Sequence, residues 1–196
     1  MTENEKKYLT TARDFLVMGD LDNACAHYFE VSKDAPENAE AEFFGAYLGY
    51  QSLVEENSAS AVNAFKAMAA CLEKAVKCVK ESDVEDIGKG LILEKIVEVY
   101  TPITRFVFKK FSTTASTIET GVLGLYALGN AIKKEFGSNP EAMKQAAVAW
   151  KEAVALQREF YAYKYNGVKP EDYEADIKKV DPTYTMPKKA GCVTLG

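Results

Sequence analysis

The sequence predicts an all-α protein: antiparallel helical hairpins that continue into a bundle of about seven helices. Three observations carry that reading. Apolar residues recur at spacings of three and four along most of the chain, as on one helix face, beginning with Tyr8, Ala12 and Phe15. Stop-and-restart chemistry interrupts the period at Gly19-Asp20 and at Gly137-Ser138-Asn139-Pro140. A hydrophobic content of 47% over 196 residues is that of a folded chain able to bury a core of its own.

The first helix would run from about Glu5 to Val17, with Tyr8, Ala12 and Phe15 on its inner face. Gly19 suits the left-handed conformation that closes a helix, and Asp20 can cap the next one. The second would run from about Leu21 to Lys33, with Ala24, Tyr28 and Val31 inward, and Pro36 follows it. Ala12 and Ala24 leave room for two backbones to approach, and the rings of Tyr8, Phe15 and Tyr28 are expected to fill the space around them.

This order of aromatic, small, aromatic, turn, small, aromatic and Pro over residues 5–38 resembles a tetratricopeptide repeat. Its most specific part is Gly19-Asp20-Leu21-Asp22-Asn23-Ala24, followed by Tyr28 and Asp34-Ala35-Pro36-Glu37-Asn38-Ala39. Tyr8 stands in place of the family's Trp, and Thr11 in place of its Leu. The likeness continues more weakly to about residue 80. A third helix over Asn38–Val54 carries Glu42 where an aromatic residue is expected. A fourth, capped by Asn57, Ser58 or Ser60, repeats the pattern at Ala61, Phe65 and Met68 and then overruns it to about Glu81. The resemblance implies a short stacked array that holds a segment of a partner protein in the groove of its first hairpins. Leu9, Arg13, Leu16, Phe43, Tyr47 and Tyr50 are the groove residues it implies. The two-Lys, two-Asn clamp that some repeats use for a carboxylate is not visible.

Longer helices are predicted beyond residue 82. Ser82-Asp83 would cap a fifth, buried through Ile87, Leu91, Ile92, Ile96, Val99 and Tyr100, with Thr101-Pro102 expected to kink or split it. Past the Pro, Phe106 and Val107 continue an apolar face, with Arg105, Lys109 and Lys110 opposite as a solvated face or a membrane-surface stripe. A sixth follows the Ser112–Ser116 run and reaches about Phe136. Its Gly121, Gly124 and Gly129 each cost about 1 kcal/mol relative to Ala, which predicts close approach of a neighbour, or a pocket wall. A seventh would run from Pro140 to about Tyr165, with Met143, Ala147, Trp150 and Val154 inward.

Residues 1–168 therefore read as one helical domain, repeat-like over 5–81 and longer-helical over 82–168. Residues 169–196 read as an extended or partly disordered tail, with a short helix near Glu171–Lys178 and loose docking through Tyr173, Ile177 and Tyr184. Within the tail, Asp181-Pro182-Thr183-Tyr184, Pro187-Lys188-Lys189 and Gly191-Cys192-Val193 resemble a bacterial linker that precedes a small Cys-containing C-terminal module. The likeness ends at Thr194.

The formal net charge of −5, with both signs spread along the chain, argues against nucleic acid and leaves protein partners open. No apolar run approaches the roughly 18 residues of a membrane span, and the polar N-terminus points to the cytoplasm. Cys25, Cys71, Cys78 and Cys192 form no C-x-x-C pair; the first three are expected to be buried and Cys192 exposed. His27, the sole histidine, cannot supply a di-iron bundle's ligands, and no Ser-His-Asp or Cys-His motif surrounds it. Gly88-Lys89-Gly90 lacks the flanking residues of a phosphate loop. No catalytic residue, cofactor or metal is predicted. The leading expectation is a protein-interaction or scaffold module. The alternative is a helical bundle holding a small apolar ligand in an internal pocket lined by Gly121, Gly124, Phe106 and Trp150.

Overall fold

Turn and cap chemistry divides the chain into eight helices among the described residues, which in the computed structural model are 2–55, 58–111 and 114–190. They are α1 (Glu3–Val17), α2 (Leu21–Asp34), α3 (Ala39–Leu53), α4 (Ser58–Glu81), α5 (Asp86–Lys110), α6 (Ala115–Phe136), α7 (Pro140–Glu159) and α8 (Glu171–Val180). No strand occurs among the described residues, so the all-α class stands. The cap position Asn57 and the Cys192 and Thr194 of the tail lie outside them.

Caps account for most of the boundaries. Helix α1 begins at Glu3, ahead of the expected Glu5, because Thr2 and Glu5 form a reciprocal capping box: Glu5 N donates to Thr2 Oγ1 at 3.3 Å and Thr2 N to Glu5 Oε2 at 2.6 Å. The side chains of Asp20, Asn38, Thr114 and Asn139 accept from the first turns of α2, α3, α6 and α7, and Pro140 sits in the first turn of α7. Pro102 lies inside α5, which nonetheless runs on to Lys110 rather than splitting there. Helix α7 stops at Glu159, short of the expected Tyr165. The chain folds back after it, and Tyr165 donates its hydroxyl to the Phe160 carbonyl at 2.7 Å.

The chain forms two compact units, residues 1–100 and 101–196. In the first unit α1 packs on α2, α2 on α3, and α3 on α4, the order of stacked hairpins. Tyr28 stacks on Phe44 with centroids 4.7 Å apart, and Phe65 on Tyr100 at 5.6 Å. Ala12 and Ala24 are fully buried, as close approach of the first two helices requires. Tyr8, however, is exposed and Phe15 only half-buried. The buried stripe of α1 is Leu9, Ala12, Arg13 and Leu16, one step around the helix from the predicted one. Tyr8 and Phe15 flank the half-buried ring of His27 instead, at 5.9 and 5.2 Å.

In the second unit α6 packs on α7 around the fully buried Trp150. A Cβ at Gly121 would come within 2.7 Å of the Phe108 ring, and one at Gly129 within 2.4 Å of the Trp150 indole. Both glycines let large rings of neighbouring helices lie against the α6 backbone. The tail belongs to this unit: α8 packs on α7, Ile177 is fully buried, and the Tyr173 ring lies 4.4 Å from that of Tyr126.

Candidate functional site

Helical spacing places Lys6, Leu9, Thr10 and Arg13 on one stripe of α1, and that stripe is one wall of an open cleft in the first unit. Asn38, the cap of α3, borders it, and Cys78, Glu81, Ser82 and Asp83 from the overrunning end of α4 and the corner after it form the other side. The cleft has a volume of about 440 Å³.

An ion pair forms its floor. Arg13 donates Nε to Glu40 Oε1 at 3.1 Å and Nη2 to Glu40 Oε2 at 2.7 Å, and Glu40 is fully buried. The Tyr28 hydroxyl donates to the same carboxylate. Burial works against the guanidinium charge, but the hydrogen bond and charge of Glu40 outweigh it and hold the Arg13 pKa above its ordinary value. Burial, reinforced by the Glu40 charge, pushes the Tyr28 hydroxyl well above its ordinary range, so it stays a donor. Arg13 Nη1 also lies 3.8 Å from Asp83, an exposed side chain across the cleft. The cleft thus offers an apolar contact at Leu9, a cation held rigidly at its base, Lys6 on one rim, and Glu81 and Asp83 on the other.

Of the six groove residues implied by the repeat resemblance, only Leu9 and Arg13 line this cleft. Leu16, Phe43 and Tyr50 are buried within the unit and lie outside the cleft lining. Tyr47 is half-buried on α3, its hydroxyl accepting from Gln51 Nε2 at 3.0 Å. Helix α4 runs for 24 residues and brings Cys78 and Glu81 opposite α1, and a Cβ at Gly88 near the start of α5 would lie 3.6 Å from Val17. Glu40 was not among the sequence-predicted site residues; Glu40 and Glu42 both lie in the first turn of α3, and nothing local distinguishes the buried one.

The apolar pocket proposed around Gly121, Gly124, Phe106 and Trp150 is not formed as drawn. Phe108 and Thr104 occupy the space beside Gly121, Trp150 that beside Gly129, and Phe106 is 42% exposed. A concavity of about 330 Å³ does open elsewhere in the second unit, lined by Arg158, Tyr161, Tyr163, Tyr165 and Lys169. Among the described residues, no group of three or more His, Cys, Asp and Glu side chains could hold a metal ion, and no helix is long and apolar enough to cross a membrane.

Comparison adds no relative. No protein-family model, characterised protein or solved structure compared with this chain matches it. The tetratricopeptide likeness therefore rests on the sequence pattern of residues 5 to about 80 alone, strongest over 5–38.

Proposed function

We propose that the chain is a protein-interaction module of a reducing cytoplasm, with the first unit's cleft holding a short segment of a partner protein. The observation that carries this reading is the cleft itself, open to solvent and floored by an Arg13 guanidinium that Glu40 and Tyr28 fix in place. A partner segment would set an apolar side chain against Leu9, an acidic group by Lys6 and a basic group by Glu81 and Asp83. Its backbone would meet the polar groups of Asn38 and Ser82. Preorganised polar groups around a small apolar contact suit recognition, since little side-chain entropy is lost on binding. Free thiols at Cys25, Cys71 and Cys78 fit a reducing compartment.

The test is to select binding peptides from a random library and titrate them against wild type, a cleft-filling Thr10→Arg/Ser82→Arg variant, and a Val148→Arg control in the second unit. Thr10 is exposed, Ser82 half-buried with its hydroxyl on the Val79 carbonyl, and Val148 44% exposed; circular dichroism of each variant checks that its fold is kept. The proposal predicts binding lost in the first variant and kept in the second; equal binding to all three contradicts it.

A further inference from the structure

The tail of this protein does not pack like a core element. Helix α8 has 10 residues, below the length at which an isolated helix holds in water, so its helicity depends on the surface beneath it. That surface is the groove between α6 and α7. Two side chains enter it from α8, four residues apart on one face: Tyr173 and Ile177. The Tyr173 ring lies 4.4 Å from Tyr126 and 5.8 Å from Trp150, and its hydroxyl accepts from Asn130 Nδ2 at 3.2 Å. Ile177 is the only residue of α8 that is fully buried.

Past α8 the Tyr184 ring lies 5.9 Å from the Lys151 ammonium and Met186 Sδ 2.8 Å from Arg158 Nη2, and three ion pairs of one polarity add to these contacts. The groove side supplies the cations and the tail the carboxylates: Lys133 with Asp176 at 2.5 Å, Lys151 with Asp181 at 2.7 Å, and Arg158 with Glu171. Each has at least one partner substantially exposed to water, so each is weak and screened by salt. Just before α8, exposed Asn166 and Gly167 take φ of 51° and 79°, a turn that separates the segment from α7. The arrangement is that of an amphipathic helix laid in a groove, with two anchors and a charged rim.

We propose that the α6–α7 groove is a helix-binding site, filled in cis by α8 and open to an acidic amphipathic helix of a partner protein that presents an aromatic side chain and, four residues on, an aliphatic one. The occupant's chemistry is set by the groove: an aromatic slot between Tyr126 and Trp150, an aliphatic socket, and a rim of Lys133, Lys151 and Arg158. This site is in the second unit and does not depend on the cleft of the first.

A protease site inserted between Asn166 and Gly167 tests it in the full chain. After cleavage, a fluorescein-labelled peptide of residues 168–190 should exchange into the groove, and its Ile177→Ala form should bind at least about tenfold more weakly. In the uncleaved protein, an unrelated acidic helical peptide with Tyr and Ile four apart should displace α8, read as a change in Trp150 emission. The same composition with Tyr and Ile two apart should not. A fragment that never exchanges, or a second unit that unfolds when the fragment leaves, would make α8 a core element and overturn the proposal. Exchange seen only as a concentration-dependent dimer would assign the groove to a second copy's α8, and would overturn it as stated.

Discussion

Arg13 on α1 and Glu40 on α3 meet in a two-point ion pair that is almost wholly out of water, with side-chain exposures of 9% and 0%. The pair joins the first hairpin to the helix that follows it, and Tyr28 of α2 donates to the same carboxylate, so three helices share one polar centre. Removing one partner leaves the other charge buried and unpaired. Arg13→Ala should therefore lose about 3–5 kcal/mol, whereas Arg13→Met/Glu40→Leu with Tyr28→Phe should lose much less. Urea titration followed by circular dichroism, treated as a mutant cycle, measures both. A cost for Arg13→Ala of a few tenths of a kcal/mol would show that the pair is not the centre described.

Helix α6 yields a contrast between glycines. At Gly129 an added methyl group would meet the Trp150 indole at 2.4 Å, so Gly129→Ala should destabilise by about 1–3 kcal/mol despite its better helix propensity. Gly49 in α3 has no neighbour within 4 Å of the same position. Gly49→Ala should stabilise by about 0.5–1 kcal/mol. Thermal melts of the two variants should move in opposite directions.

Local chemistry made the helices legible, and long-range pairing hid the site. Gly19-Asp20 and Asn139-Pro140 mark their helix boundaries through groups only a few residues apart, so the sequence displays them directly. Arg13 and Glu40 are 27 residues apart, and nothing local to either records the other. The buried stripe of α1 was misplaced for a related reason. Tyr8 and Leu9 are both apolar neighbours, and which of them faces inward depends on helices that arrive later in the chain. In the tail, Tyr173, Ile177 and Tyr184 were visible as the docking residues. The ion pairs that align α8 were not, because Asp176 and Asp181 find Lys133 and Lys151 on other helices.

The cysteines should separate by burial. Burial, and then the charge of Asp22, pushes the Cys25 thiol up to about 12; burial does the same for Cys71, reinforced by Glu42. Both stay protonated at neutral pH and shielded, so native labelling with a maleimide followed by peptide mapping should find them slow. Cys78 is half-buried in the cleft wall and should react faster than either. Equal rates at all three would contradict the packing of α2 and α4.

Acid should loosen the tail. The Asp181 carboxyl is drawn down to about 2 by hydrogen bonds from Lys151 and then Thr183, and Asp176 is lowered by Lys133 and then Lys179. A carboxyl whose folded pKa lies below its unfolded value of about 3.9 contributes stability above that pH and loses it as pH falls toward the folded value. Docking of α8 should thus weaken between about pH 4 and pH 2, seen as a red shift of emission from Trp150, which lies 5.8 Å from Tyr173. Asp181→Asn should shrink that shift, and an unchanged profile would remove the ion pairs from the account.

The claim that the first unit's cleft binds a partner segment is tested most directly by hydrogen exchange on the wild-type chain, with and without a library-selected peptide. The account predicts slowed exchange over residues 6–13 and 78–83, the two walls of the cleft, with the second unit unchanged. A library that yields no binder, or protection that falls elsewhere, would contradict it.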